Sequence, residues 1–166
     1  MAWAVNGTPN TLTSTGDVLQ ITDLAAKKFN VFLIHEIASG NIDNPKWTFN
    51  NNTNSVYANR YSLNGAADNT QTSQSGLIFN MGDAAWDRFN VGYTVSISSE
   101  EKLVIGFGTT GKTAGAGTAP GRKELVGKFV PSPDADITRI DDTNGGSGDF
   151  DTDSNLSAFE IGRAHV

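Results

Sequence analysis

Large apolar residues alternate strictly with polar or small residues over residues 88–98. This pattern limits the possible folds of the chain more than any other feature of its sequence. Every second position carries a large apolar residue, namely Phe89, Val91, Tyr93, Val95 and Ile97. Because successive side chains of a β-strand point to opposite faces, the pattern predicts an antiparallel strand with one buried face. We expect the large apolar residues to face the core. Glu100 and Glu101 then form a turn into a second strand, 102–107, which completes a predicted hairpin.

Short runs of Val, Ile, Phe and Tyr recur along the chain between Asn, Thr, Ser and Gly, a composition typical of strands joined by turns. Further strands are predicted at residues 28–37, 55–63, 76–81, 122–130, 137–141 and 154–161. Apolar residues occupy both faces of 28–37, so this strand is predicted to be central, with His35 as a hydrogen-bonded core residue. Helical candidates are limited to 22–28, 83–89 and the tail after Glu160.

At 166 residues without cysteine, the chain is predicted to form one domain, 1–166, whose core needs no disulfide. The strand and turn signals predict an all-β fold, a single-domain antiparallel β-sandwich of about eight strands. Long loops favour jelly-roll connectivity, and an immunoglobulin-like sandwich is the alternative. No internal repeat of fixed period indicates a propeller or a solenoid.

Charge and composition argue against several classes of function. A net charge of −6 and a pI of about 4.7 disfavour nucleic acid as a partner. No apolar run approaches the roughly 18 residues of a membrane span, and the first residues lack the pattern of a secretory signal, so we expect a soluble protein. His35 and His165 stand far apart, which disfavours a multi-histidine metal site. No nucleophile elbow occurs and no catalytic residues are predicted, although carboxylates distant in the chain could still meet as an acid pair for glycoside hydrolysis. No organic cofactor is predicted.

An acidic segment near the end of the chain carries most of its charge. Residues 134–160 hold eight acids and one base, Arg139, a net of −7 against −6 for the whole chain. The spacing of a calcium loop is matched, at its positions 1, 3, 5, 7, 9 and 12, by Asp149, Asp151, Asp153, Asn155, Ser157 and Glu160. The preceding DDTNGGSG cannot form a helix, which excludes an EF-hand. The first four of these residues are the candidate calcium ligands, and the alternative is a solvated turn into the last strand.

Two other segments are predicted to be loops. Residues 106–113 read GFGTTGKT and satisfy the bare spacing of a phosphate loop, but the glycines and proline that follow exclude the phosphate-binding helix. The glycine-rich segment 108–121 is instead predicted to be a mobile loop. Residues 39–54 are predicted to be a polar loop held to the body by Trp47 and Phe49, the alternative being that these aromatics form a contact surface.

The closing segment ITRIDDTNGGSGDFDTDSNLSAFEIG, residues 137–162, resembles the last strands of small jelly-roll virion proteins of tailed bacteriophages. The shared features are an I-x-x-I strand, a glycine-rich loop ending in Gly-x-Phe, and a Ser-x-Leu-x-x-Phe-x-x-Gly strand. The stretch Tyr57–Leu63 with its Asn-Gly turn, and the segment SQSGLIFNMG, are similar to the same group. The resemblance covers about half of the chain and implies a virion structural protein without enzymatic activity.

The first hypothesis is therefore a capsid decoration (cement) protein that binds the major capsid protein or other virion proteins as a symmetric oligomer, first of all a trimer. Its docking elements would be the loops 39–54 and 108–121 and the chain ends. A tail or fibre component is the alternative within a virion. A lectin-like carbohydrate-binding module is a further alternative, with Trp47, Trp86 or Tyr61 as stacking platforms, and an enzyme on this fold is a third.

Overall fold

The computed structural model describes residues 3–79, 85–111, 114–132 and 135–161, and within these ranges it contains antiparallel strands and no helix. The predicted all-β antiparallel fold is confirmed, while jelly-roll connectivity stays a prediction. The strands are β1 (Trp3–Val5), β2 (Asn10–Thr11), β3 (Val18–Ile21), β4 (Phe29–Glu36), β5 (Ala38–Ser39), β6 (Lys46–Phe49), β7 (Tyr57–Leu63), β8 (Asn69–Gln74), β9 (Leu77–Ile78), β10 (Arg88–Val95), β11 (Lys102–Thr110), β12 (Gly121–Phe129), β13 (Ile140–Thr143), β14 (Asp149–Phe150) and β15 (Asn155–Ile161).

Two layers of sheet enclose the core. The large sheet has the order β1-β15-β4-β10-β11-β12-β7-β8, with β2 also paired to β15. The small sheet, β3-β13-β6-β9, packs on one face of it, and β14 pairs with β5 separately. The predicted hairpin is confirmed by β10 and β11, whose register runs from Arg88 opposite Thr110 to Val95 opposite Leu103. The predicted central position of β4 is confirmed too, because it lies between β15 and β10.

Bulky side chains of the small-sheet layer fill space that glycines leave open on the large sheet. The rings of Trp47 and Phe79 stack with their centroids 3.8 Å apart. They lie against Gly92 and Gly106, which are directly opposite each other on β10 and β11. A Cβ atom at Gly92 would overlap the Trp47 ring, and one at Gly106 would overlap the Phe79 ring. The two layers therefore fit by volume, with the small sheet supplying the bulk.

The segment 39–54 is attached to the body by its aromatics, as predicted, but part of it is a strand. Trp47 and Phe49 are fully buried, and they belong to β6 in the middle of the small sheet. Tyr57 fixes the turn beyond β6, since its hydroxyl accepts a hydrogen bond from the Phe49 amide (2.8 Å) and donates one to the carbonyl of Asn52 (2.9 Å). Burial raises the pKa of the Tyr57 phenol. The strand residues 46–49 are thus unavailable for docking, whereas residues 40, 41, 44, 51, 53 and 54 are exposed and the docking role of the loop stays a prediction.

The orientation predicted for residues 88–98 is wrong. On β10 the inner face carries Asn90, Gly92 and Thr94, all buried, whereas Phe89 and Tyr93 are exposed. The neighbouring β4, with apolar residues on both faces, is exposed on its outer face at Phe29 and His35, so the prediction of His35 as a core residue is wrong. The physical reason is volume, because the side chains of the small sheet already occupy the gap between the layers and leave room only for small residues opposite them.

Other differences concern weak local signals. The structure contains fifteen strands in its described ranges rather than about eight, because short segments such as β1, β3 and β8 pair although their sequences lack clear alternation. The helix considered at 22–28 is absent, and residues 85–89 of the second helical candidate are not helical either. The third helical candidate is the tail after Glu160, and beyond Ile161 it lies outside the described residues. Within the described ranges, no helix is long and apolar enough to cross a membrane.

Candidate functional site

The most prominent surface feature is an apolar face on the solvent side of the large sheet, which we call the outer face. Nine large apolar side chains on it are between 41% and 57% exposed: Trp3, Val5, Phe29, Phe89, Tyr93, Leu103, Ile105, Phe107 and Val126. A sheet in a two-layer sandwich ordinarily has its second face covered with polar residues. Here Asn90, Thr94 and Lys123 point inward, and large apolar side chains occupy much of the outer face, so this part of the surface has the composition of an interface.

Strand register places these side chains in continuous rows. Tyr93 lies opposite Val31 of β4 on one side and opposite Ile105 of β11 on the other. The same row continues through Val126 on β12, and through Phe159 on β15, which pairs with Val31. Directly opposite residues on neighbouring strands have Cβ atoms about 4.5–5.5 Å apart, so the row is a continuous apolar stripe, within which the Val31 side chain is only 3% exposed. The outer face is thus one patch rather than scattered hydrophobic residues.

A shallow hollow of about 370 Å³ lies on this face. Its walls are almost wholly apolar and include Phe29, Tyr93, Leu103, Ile105, Val126 and Ile161. The hollow is large enough to receive a bulky apolar side chain. Interfaces concentrate their binding energy where an anchoring side chain of one protein fills such a hollow on the other.

Ionisable side chains line the opposite, inner face of the large sheet. Glu36 of β4 and Arg88 of β10 are cross-strand neighbours, completely buried, with Nη1 and Oε2 3.4 Å apart. Asn90 donates a 2.5 Å hydrogen bond to Oε1 of Glu36, and Nη2 of Arg88 donates to the carbonyl of Ile42 at 2.8 Å. A second buried acid, Asp142, faces Glu36 from β13 of the small sheet. We call Glu36, Arg88, Asn90 and Asp142 the buried cluster.

The buried cluster contains two carboxyl groups and one arginine. This imbalance of charge determines the protonation of Glu36 and Asp142. Neither oxygen of Asp142 meets a hydrogen-bond donor in the described part of the chain, and Glu36 can supply one only when protonated. Burial raises the pKa of Glu36, and burial together with the facing Glu36 carboxyl raises the pKa of Asp142 well above its ordinary value. From these directions we infer that the two carboxyl groups share one proton beside the Arg88 guanidinium.

The shared proton predicts a specific pH dependence of stability. The folded chain keeps the proton at pH values where the unfolded chain has already released it, so the free energy of unfolding falls as pH rises above about 4. The slope from one such proton is at most about 1.4 kcal/mol per pH unit. Asp142→Asn removes the second acid, and we expect a shallower decline in chemical denaturation between about pH 5 and about pH 8.

Asp153→Asn is the matched control for this experiment. Asp153 is exposed, and its φ of 67° is a conformation that asparagine also adopts readily. The control should follow the wild-type pH profile. If Asp142→Asn and Asp153→Asn give parallel profiles, the two buried acids do not share a proton.

Two buried lysines complete the polar inner face. Lys123 lies over the Tyr61 ring, 3.9 Å from its centroid, and donates a hydrogen bond to the carbonyl of Ile78. Burial lowers the pKa of Lys123 to about 7, with the Arg88 charge contributing. Lys102 donates to the carbonyls of Ile97 (2.6 Å) and Glu100 (2.5 Å), which closes the turn between β10 and β11. Both amines thus have structural roles.

The candidate calcium ligands lie on and around β14 and β15. Asp151 accepts a 2.7 Å hydrogen bond from the Thr152 amide, and the Asn155 side chain donates to Thr11 and accepts from Ser157. No group of three or more acidic or histidine side chains in the described ranges is arranged to hold a metal ion. Calcium binding through Asp149, Asp151, Asp153 and Asn155 therefore stays a prediction from spacing.

The aromatic residues considered as sugar platforms have different environments. Trp47 is fully buried against Phe79 and cannot present a face to a ligand, so that prediction is wrong. Trp86 and Tyr61 are half-buried, and one face of Tyr61 is covered by Lys123.

The sequence pattern predicts the strands of the outer face but not the face itself, because alternation over residues 88–98 predicts that the large apolar side chains face the core. One signal in the sequence indicates the true orientation. Strand β11 alternates Lys102, Val104, Gly106 and Gly108 with Leu103, Ile105, Phe107 and Thr109, and the first set is too small to fill a core.

Comparison of the chain with protein-family models, with curated proteins and with solved structures finds no match in any of the three.

Proposed function

We propose that this chain is a structural subunit of a virion, a capsid decoration (cement) protein that attaches to the shell of a tailed bacteriophage as a symmetric oligomer. The observation that carries the proposal is the outer face, an apolar surface that extends over six neighbouring strands, from β1 to β12. Apolar patches larger than a few hundred Å² mark surfaces that other proteins cover. A subunit whose work is assembly needs such a surface, and it needs no catalytic residues.

Two further features support this function. The closing strands β13 to β15 carry the sequence pattern that resembles phage virion proteins. The loop between β11 and β12 is exposed over residues 114–120 and consists of small residues and one proline, so it can order against a neighbour without disturbing the core. The shell would be contacted by this loop, and the major capsid protein is the expected partner. A tail or fibre component would use the same surfaces at another location in the virion.

The proposed function is tested by mixing the purified protein with undecorated capsids of the phage that encodes it and measuring co-sedimentation. We expect the wild type to sediment with the shells. Deletion of residues 114–119 should weaken attachment and change the melting temperature by less than about 2 °C, because these residues are exposed and outside the core. Gly16→Ala is the control, since a Cβ there meets no atom within 4 Å and residue 16 is distant in sequence from the loop.

The contrary outcome is a protein that ignores capsids and binds a defined glycan, with binding lost in Trp86→Ala. That result would favour the lectin-like alternative, in which a half-buried tryptophan stacks on the sugar. Tail-specific attachment, with no affinity for shells, would instead favour the tail component.

A further inference from the structure

The outer face is large enough to determine the oligomeric state of the protein. From β1 to β12 it spans five inter-strand gaps of about 4.8 Å, and about three alternating positions along the longer strands, with two on β1, give a second dimension of about 20 Å. The projected area is therefore on the order of 500 Å². A standard protein interface buries about 800 Å² of accessible surface on each partner, and the accessible area of a corrugated face exceeds its projection. The face alone thus provides most of the area of a stable interface.

We propose that the partner on this face is a second copy of the same chain, packed sheet against sheet around a two-fold axis. The inference deepens the proposed function and rests on it, since it names the first contact from which the assembly is built. Facing sheets pack about 10 Å apart with their strands aligned to within about 30°, an angle that follows from their twist. Two copies of one sheet share the same twist, so the face fits itself.

Charge is consistent with self-association. The centre of the face carries no ionised side chain, and its members are Val31, Leu33, Val91, Tyr93, Val95, Ile105 and Phe107. Two chains of net charge −6 can therefore meet there without placing like charges in contact. The border along β12 and β7 has both signs, Arg60, Arg122 and Lys128 beside Glu101 and Glu124, and can pair with a copy of itself. An anionic membrane surface would instead require a predominantly basic border.

Two-fold symmetry makes a geometric prediction about side chains near the axis. In an isologous interface, a residue on the axis meets its own copy. Tyr93 lies in the middle row of the face, between Val31 and Ile105, and is therefore close to any two-fold axis through the patch centre. The hollow bounded by Phe29, Tyr93 and Leu103 would be filled by an apolar side chain from the other copy, and the same contact would occur twice. Such pairing gives dimers, or larger assemblies built from them, rather than an isolated trimer.

The first test uses the absence of cysteine from the chain. Sedimentation equilibrium should give twice the chain mass of 17.6 kDa, or a multiple of that pair. A single-cysteine variant, Tyr93→Cys, should form a covalent dimer in high yield with a short bifunctional thiol reagent. The matched control is Thr53→Cys, which is exposed beside the outer surface of the small sheet and should remain largely uncrosslinked.

The second test places a charge on each side of the interface. Ile105→Glu puts a carboxylate at a half-exposed position, so the fold should persist while the dimer dissociation constant rises about 100-fold, because each dimer then buries two unpaired charges. Val18→Glu is the matched control, since Val18 is similarly exposed but lies on the small sheet. It should dimerise like the wild type. Circular dichroism of both variants establishes that the fold is retained.

The outcomes separate this inference from the proposed function. A wild type that is monomeric at all concentrations overturns the inference. If that monomer still binds capsids and Ile105→Glu abolishes the binding, the shell covers the outer face and the proposed function stands. If it instead binds lipid vesicles, both proposals are wrong. Dimers that crosslink at Tyr93→Cys but ignore capsids support the inference and reject the capsid function.

Discussion

Replacing Arg88 by leucine is expected to lower the free energy of unfolding by about 3–5 kcal/mol at neutral pH, because the variant leaves buried carboxyl groups without a cation. Glu36 and Asp142 are both completely buried, and Arg88 is the cation beside them. Such a loss is a large fraction of the roughly 5–15 kcal/mol that keeps a typical domain folded. The loss should shrink on acidification, because protonated acids no longer require the guanidinium.

Arg122→Leu is the matched control for this measurement by chemical denaturation. Arg122 also pairs with a glutamate, Glu124, but the side chains are 59% and 49% exposed and the N–O distance is 3.7 Å. Exposed pairs contribute about 0–1 kcal/mol, so this variant should remain close to the wild type. Equal losses for Arg88→Leu and Arg122→Leu would contradict the assignment of Arg88 as the counter-charge of the two buried acids.

Gly92→Val should destabilise the fold by about 3 kcal/mol, the upper part of the range for overpacking a filled core. A Cβ atom at Gly92 already overlaps the Trp47 ring, and that ring cannot retreat because it is stacked on Phe79. The two layers of the sandwich would have to separate at this point. Thermal and denaturant unfolding of the variant give the value.

A double-mutant cycle with Trp47→Leu tests the cause. In the Trp47→Leu background the space beside residue 92 is partly open, so Gly92→Val should cost clearly less than in the wild type, with a coupling of at least about 1 kcal/mol. Strictly additive effects would mean that the glycine is required for another reason. Gly16→Ala serves as a control for loss of a glycine without overlap, because a Cβ at Gly16 contacts nothing within 4 Å.

The strands were largely readable from the sequence because alternation is a local property. The predicted strand 122–130 corresponds to β12 at Gly121–Phe129, and 154–161 corresponds to β15 at Asn155–Ile161. Both are held in place by pairing along most of their length. Elements with weak patterns, such as β3 and β8, were not predicted, since their pairing comes from neighbouring strands rather than from their own composition.

Local alternation does not predict which face of a strand points toward the core. Alternation at Phe89, Val91 and Tyr93 states that two faces differ, but a large apolar set can face either a core or a partner. Which set turns inward depended on the volume supplied by Trp47 and Phe79, residues distant in sequence. The same cause moved His35 to the surface and brought Glu36, Arg88 and Asp142 together in the interior.

The all-β class, the β10–β11 hairpin and the central position of β4 are predictable from the chain alone, because each follows from residue chemistry over a few neighbouring positions. Which face of the large sheet is covered, and with it the outer face and the buried cluster, depends instead on packing between residues that are distant in sequence. The physical reason is that layer packing is a competition for one limited gap, in which the aromatics of β6 and Phe79 displaced the larger side chains of β10 and β11 to the outside.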